Sequence, residues 1–338
     1  QLGPPRRQLD LVTIDTYRTL SADEAVDLLT SPTVDLEVGI LRGVPILVVE
    51  DADRLPVVTT NALTGLPVVS VGIAPPGRAP GFDVLVDDVD AAGEVVKGVT
   101  ANPMAAVTCC QLLRQAPNLS TEAGLLTEST AYGTLQSGPE FARWMATRDL
   151  RARTAEDRPP VRVETCPNEV VLTLDRPRQR NAWSAAMRNA LVESLRPLAT
   201  DGDDRPIRLK GSGPAFCSGG DLAEFGTVDN PATGHLIRSS INAAPWLDRL
   251  ADRLTVVVQG PTVGAGVELA AFARRVEAVD GATFRLPEVS MGLVPGAGGT
   301  LSVPRRIGRQ RTAWLCLTGK PIDVLTALSW GLADELVG

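Results

Sequence analysis

The stretch that most constrains what this chain folds into is residues 260–300, where Glu268 follows a run of small residues and Glu288 follows Pro287. Residues 263–266 (Val-Gly-Ala-Gly) come after the apolar run 254–258 and lead into an alanine-rich segment of helical pattern. Small residues let a ligand approach the backbone, and the first amides of a helix lack acceptors within the helix. Such amides stabilise a negatively charged oxygen. Together with Glu268 and Glu288, they indicate an acid–base site, although each feature alone is more often ordinary packing or a solvated side chain.

Composition limits the class of protein. A chain of 338 residues predicts two domains, or one domain with a large extension. A net charge of −7 gives no reason to expect a nucleic acid or an anionic membrane as partner. Five cysteines without zinc spacing and a single histidine favour a reduced, cytoplasmic protein without a metal site. The sequence shows no signal peptide and no apolar run long enough to span a bilayer.

The first half predicts a small α/β domain over residues 1–150, without catalytic residues of its own. A loose leader (residues 1–8) and a strand (Leu9 to Ile14) precede a helix capped at Ser21. Apolar runs separated by Pro, Gly and Asp predict further strands at 44–49, 66–71 and 82–86. Residues 91–148 then have a helical pattern, with Asn102-Pro103 at one helix start and Ser120 at another.

A charged segment ending in two prolines, residues 151–160, predicts a linker to a second domain over 161–338. That domain opens with two strands around a Cys-Pro-Asn-Glu turn. A helix capped at Ser184 follows, with Met187, Leu191 and Leu195 on one face. A strand at 207–210 then runs into a second crossing rich in small residues, GSGPAFCSGGDL, which can also present backbone amides.

In order along residues 161–338 come the motifs LDRPRQRNAWS, GPAFCSGGDL, VGAGVELA, FRLPEVSMGLVPGAGGT, LTGKPID and GLADEL. Together they resemble the enoyl-CoA hydratase/isomerase (crotonase) family, in that family's order and spacing. The resemblance implies an α/β fold, a spiral of ββα units, that binds acyl-CoA thioesters. It implies no cofactor beyond the coenzyme A that the substrate carries.

The resemblance also implies roles for individual residues. Two backbone amides hold the thioester oxygen in the family, and the matching positions are Ser218 and Ala265. The two glutamates of family hydratases fall on Glu268 and Glu288, so that hydration of a 2-enoyl-CoA is favoured. The other positions expected to contact substrate are Arg180, Ala182, Phe216, Gly219, Asp221, Leu222 and Gly264. Ala265 replaces the usual glycine, and Arg285-Leu286 replaces the usual Gly-Gln before Pro-Glu.

The family's core is normally followed by helices that close the site and join a trimer, whereas the given sequence stops at Gly338. Residues 101–148 resemble that missing segment, so the first half is interpreted as a degenerate crotonase unit that kept its terminal helices. We expect 101–148 to pack against the 161–338 core of its own or a neighbouring subunit, in a trimer-based homo-oligomer. Three functions remain open: a hydratase, a crotonase-type isomerase or thioester hydrolase, and a non-catalytic assembly partner.

Overall fold

The computed structural model describes residues 17–148, 158–228 and 230–338. Two compact units divide the chain, one ending at Pro103 and the other beginning at Met104. The predicted leader, the predicted strand at residues 9–14 and most of the predicted linker lie outside the described residues.

The first unit is an α/β layer around a parallel four-stranded sheet, in the order β1-β2-β3-β4. Its strands are β1 (Arg18–Leu20), β2 (Ile46–Val49), β3 (Val69–Ile73) and β4 (Val84–Val86). Its helices are α1 (Ala22–Thr30), α2 (Val34–Glu37), α3 (Val57–Thr60), α4 (Ala62–Gly65) and α5 (Val89–Ala101). All four residues of β2 are buried, because a parallel sheet is covered on both faces. The predicted α/β class is confirmed; the degenerate-crotonase origin stays a prediction.

Local chemistry explains where α1 begins. The Ser21 side chain accepts from the Glu24 amide at 3.4 Å, and the Glu24 carboxylate accepts from the Ser21 amide at 2.8 Å. This reciprocal pair satisfies two amides that lack helical acceptors. The predicted helix start at Ser21 is therefore confirmed.

Three helices open the second unit: α6 (Pro103–Gln115), α7 (Thr121–Gln136) and α8 (Pro139–Ala146). The predicted domain boundary at 150–160 therefore differs from the division at Pro103 and Met104, and residues 104–148 belong with the core. Helix α7 contacts residues of the later helices that carry the site, and the expected packing on the chain's own core is observed. This packing removes one reason to expect a homo-oligomer, and trimeric assembly stays a prediction.

The core of the second unit is a six-stranded sheet in the order β13-β10-β8-β7-β6-β5, beside a three-stranded sheet in the order β12-β11-β9. The strands are β5 (Val161–Thr165), β6 (Val170–Leu174), β7 (Ile207–Gly211), β8 (Leu254–Val258), β9 (Pro261–Val263), β10 (Arg275–Val279), β11 (Thr283–Arg285), β12 (Ile322–Asp323) and β13 (Glu335–Val337). The helices are α9 (Ala185–Thr200), α10 (Pro231–Ser240), α11 (Ala244–Arg249), α12 (Ala265–Ala270), α13 (Gly299–Thr318) and α14 (Val324–Trp330). Only β5 runs antiparallel within the larger sheet, as the predicted hairpin requires.

The chain passes from the larger sheet to the smaller sheet before α12 and again before α13. Strand β8 of the larger sheet leads to β9 of the smaller sheet and then to α12, and β10, β11 and α13 repeat that order. Each of these two turns consists of two strands and a helix, and the predicted ββα spiral is confirmed. The strand-to-helix turns of successive units lie side by side, which brings their loops to one place.

Candidate active site

Two loops meet where the spiral passes from strand to helix. Cys217 pairs with Thr262 in a parallel bridge, and the Val263 amide donates to the Cys217 carbonyl at 2.9 Å. Gly219 and Gly264 follow, with φ of +90° and +49°, values that side-chain-bearing residues rarely adopt. A methyl group on Gly264 would lie 2.3 Å from Glu288 Oε1, so this loop can approach the acid only as glycine.

Behind these loops lies a cavity of about 210 Å³. Its walls carry both predicted acids, Glu268 and Glu288, and the backbone of Ala265. Helix α7 adds Tyr132 and Gln136 to the same cavity, from a part of the chain that precedes the core. The structure therefore brings the predicted acids together and adds a wall that the core motifs do not contain.

Glu268 lies in the first turn of α12 and is only 2% exposed. Its Oε2 accepts from the amides of Ala297 at 2.7 Å and Gly299 at 2.9 Å, whereas its Oε1 bonds to no described residue. Burial, reinforced by the nearby charge of Glu288, raises the pKa of Glu268 well above its ordinary value. The carboxyl group is thus held firmly by one oxygen, with the other left for chemistry.

Glu288 begins a 3-10 turn (Glu288–Met291) directly after Pro287 and is 7% exposed. Its Oε2 is buried and has no hydrogen-bond partner among the described residues. Burial raises the pKa of Glu288 to about 7. A buried carboxyl without a partner is costly unless a substrate uses it, so its position favours a reactive role.

One predicted oxyanion residue is wrong. The Ser218 amide donates to the Arg180 carbonyl at 3.0 Å, and its hydroxyl donates to the Gln179 carbonyl at 3.4 Å. Ser218 is therefore already bonded within the protein. Gly220 and Ala265 both line the cavity, and neither of these two amides donates to a described residue.

The remaining predicted contact residues separate into three groups. Asp221 lines the cavity and pairs with Arg176 at 3.2 Å, so that it braces the loop. Gly219 and Gly264 shape the backbone of the two loops. The other four lie outside the cavity lining: Arg180 and Leu222, which are exposed, and Ala182 and Phe216, which are buried.

Sequence reasoning missed Glu128 of α7 as a site residue. Its Oε1 accepts from the Gly298 amide at 2.8 Å, and its Oε2 accepts from the amide and hydroxyl of Thr300 at 2.9 and 2.6 Å. Burial raises the pKa of Glu128 to about 7, although these donors oppose the rise. Glu268 takes the two amides that alternate with these, Ala297 and Gly299. The sequence signal that could have identified Glu128 is an acid within a helix that resembles the family's closing segment.

The structure shows neither a metal centre nor a membrane span in the ranges that it describes. No group of three or more His, Cys, Asp or Glu side chains in residues 17–148, 158–228 and 230–338 is arranged to hold a metal ion. Within those same ranges, no helix combines the length and the apolar character needed to cross a membrane.

Comparison with known proteins identifies relatives of the second unit. Residues 167–338 match the family described as enoyl-CoA hydratase/isomerase. The chain is 35% identical over 167 residues to the 2,3-dehydroadipyl-CoA hydratase of Escherichia coli (strain K12), covering 49% of this chain and 65% of that protein. It is 36% identical over 180 residues to a probable enoyl-CoA hydratase of Rhodobacter capsulatus, covering 52% and 68%.

Among solved structures, an enoyl-CoA hydratase from Thermoplasma volcanium is 28% identical, with a TM-score of 0.48 over 53% of this chain and 72% of that one. The chain spans 65% and 64% of the first two curated relatives, slightly less than two thirds of their length. Helices α6, α7 and α8 all precede residue 167, where the family match begins.

Proposed function

Because the chain belongs to the enoyl-CoA hydratase/isomerase family, we propose that it adds water across the 2,3 double bond of a 2-enoyl-CoA thioester. One observation carries this proposal. Two buried carboxyl groups, of Glu268 and Glu288, share one cavity with two backbone amides, those of Gly220 and Ala265, that have no acceptor among the described residues.

The two amides would hold the thioester carbonyl oxygen. Attack at C3 sends negative charge to that oxygen, and donors already in place stabilise the charge without reorganising. Each such donor typically contributes about 3 kcal/mol to the transition state. Only the backbone N–H of Ala265 is needed, so its methyl side chain is compatible with this role.

The two acids would divide the proton transfers. Glu268, held by Ala297 and Gly299, would orient a water molecule and remove its proton. Glu288, whose pKa is raised to about 7, would exchange a proton at C2 of the substrate. Two acids in one buried site favour a state in which they hold one proton between them. The proposed reaction requires this state, because one acid accepts a proton while the other donates one.

This reaction needs no cofactor, since coenzyme A enters as part of the substrate. A double-bond isomerase would use the same oxyanion amides and one acid, and it remains the alternative that product analysis separates. A hydrolase with a covalent nucleophile is less favoured, because no Ser, Thr or Cys is among the described residues lining the cavity. Cys217 is fully buried, and burial raises the pKa of its thiol to about 12.

The test is the loss of enoyl-thioester absorbance with crotonyl-CoA, with products identified by mass spectrometry. We expect hydration by the native chain, and a fall in kcat of about a hundredfold or more in Glu268→Gln and in Glu288→Gln. Both variants should still bind the thioester, because the oxyanion amides are unchanged.

Glu140→Gln is the matched control. Glu140 is 5% exposed, and burial raises its pKa, but it bonds to the Met104 and Ala105 amides outside the cavity. Its variant should lose stability and keep kcat. Near-native turnover in both cavity variants would overturn the two-glutamate mechanism, and migration of the double bond without hydration would favour the isomerase.

A further inference from the structure

The cavity contains a cation that the proposed acid–base chemistry does not use. Arg238 of α10 lines it, with its guanidinium 4.3 Å from the centre of the Tyr132 ring. Its Nε donates to the Ser129 hydroxyl at 3.2 Å, and one Nη donates to the Ser129 carbonyl at 3.3 Å. These contacts fix the orientation of the guanidinium, yet both acceptors are neutral.

Among the described residues, the hydrogen bonds of the Arg238 guanidinium go to Ser129 and not to a carboxylate. Burial accordingly lowers the pKa of Arg238, against the weaker opposing influence of Tyr132 and Glu128. Glu128 does not form an ion pair with it, because its two oxygens accept from Gly298 and Thr300. A half-buried guanidinium without a counter-ion is costly, and proteins seldom keep one unless something else supplies the negative charge.

Other polar groups of the cavity fit an anion at this wall. The Tyr132 hydroxyl belongs to a side chain whose pKa is raised, chiefly by burial, so it stays protonated and can donate. The phenol lines the same cavity as Glu268 and Glu288. Arg188, on α9, lines the same cavity, and its only hydrogen bonds in the described chain go to Asn189 Oδ1, at 3.2 and 3.0 Å.

Resting on the proposed function, we propose that Arg238 binds a carboxylate on the acyl chain, so that the preferred substrates are 2-enoyl thioesters with a second, terminal acid group. The guanidinium supplies charge-assisted hydrogen bonds to that carboxylate, and Tyr132 supplies a further donor. Since Tyr132 lies near both the acids and Arg238, the terminal carboxylate sits a short chain away from the reacting carbons.

The carboxylate also explains why the cation is needed. A dicarboxylic chain entering a cavity with Glu268 and Glu288 meets like charges, which disfavour it. The raised pKa of both glutamates lessens this repulsion, and Arg238 offsets what remains. A neutral acyl chain would instead leave the guanidinium buried beside methylene groups.

Binding of saturated thioesters tests the proposal without turnover. Adipyl-CoA and hexanoyl-CoA have equal chain length and differ in the terminal carboxylate, and calorimetry gives Kd for each with the full chain. We expect adipyl-CoA to bind about tenfold to a hundredfold more tightly. Arg238→Met should abolish that preference while leaving hexanoyl-CoA within about threefold, and Arg238→Lys should keep part of it because the charge remains.

Arg249→Met is the control, since Arg249 stacks on Trp246 at 5.1 Å outside the cavity lining and should not affect the preference. Equal affinity for the two thioesters, or an equal loss of both in Arg238→Met and Arg238→Lys, would mean that Arg238 only ties α10 to α7. Failure of crotonyl-CoA hydration together with a carboxylate preference would instead overturn the reaction and leave the anion site standing.

Discussion

Replacing Gly124 by alanine tests whether α7 closes the site of its own chain. Gly124 faces α13, and a methyl group there would lie 2.4 Å from Cδ2 and 2.7 Å from Cδ1 of Leu301. Leu301 is only 2% exposed, so its side chain cannot swing into solvent. Overpacking of this kind costs about 1–3 kcal/mol of unfolding free energy.

Alanine also gains about 1 kcal/mol over glycine from helix propensity, which opposes that cost. Gly133→Ala in the same helix is the matched control, because the atom nearest to an added methyl group is the Pro231 carbonyl oxygen at 3.4 Å, an ordinary contact. The propensity gain is common to both variants and cancels. We therefore expect Gly124→Ala to be less stable than Gly133→Ala by about 1–3 kcal/mol.

Urea unfolding followed by tryptophan fluorescence measures this difference in stability for the second structural unit, which contains α7. All five tryptophans lie in the second unit: Trp144, Trp183, Trp246, Trp314 and Trp330. Equal midpoints for the two variants, with equal slopes, would show that α7 does not pack on α13 in solution. The site would then lack the wall formed by Tyr132 and Gln136.

Two further predictions use the same fluorescence signal. Glu128 and Glu288 have pKa values raised to about 7 from 4.5, so the folded state binds more protons between those values, and unfolding free energy should fall as pH rises from about 5 to about 8. Glu128→Gln should make that fall shallower, whereas an unchanged slope would mean that Glu128 does not titrate there. A fragment of residues 104–338 should unfold cooperatively, whereas 158–338 should aggregate because its apolar surface loses α6 to α8; a stable, active 158–338 would contradict the closing role.

Features set by local sequence could be predicted. Ser184 caps α9 by accepting from the Met187 amide at 3.2 Å, a contact between residues three apart. Met187, Leu191 and Leu195 are all fully buried, as their helical spacing indicates. The two acids lie in one cavity because their motifs place them after neighbouring strands of the smaller sheet, Glu268 after β9 and Glu288 after β11.

The proposed oxyanion amide could not be assigned from sequence in the same way. Ser218, Gly219 and Gly220 are three small residues in a row, and any of their amides is a candidate. Arg180 removes the Ser218 amide from these candidates, because its left-handed backbone (φ +51°) turns its carbonyl toward that amide and accepts its hydrogen bond. That contact spans 38 residues, and no local pattern encodes it.

The sequence also predicted a different boundary between the two units from the one in the structure, for a related reason. Residues 151–160 have the charge and prolines of a linker, which indicates an exposed segment. Such a composition does not indicate whether the helices before it pack with the preceding domain or with the following one. Residues 104–148 join the unit that follows them because their contacts, such as that of Glu128 with Gly298, are made 170 residues away.

Closure of the site and positioning of Glu268, the proposed base, depend on the same four amides. Residues 297–300 enter α13 with amides that lack helical acceptors, and two carboxylates share them alternately: Glu268 takes Ala297 and Gly299, and Glu128 takes Gly298 and Thr300. Detaching α7 would strip two of these amides and leave each unsatisfied, at about 1–3 kcal/mol apiece. The loop that holds Glu268 would then lose half of its anchors. A helix that precedes the core in sequence therefore supplies the carboxylate that holds two of the four amides at the start of α13.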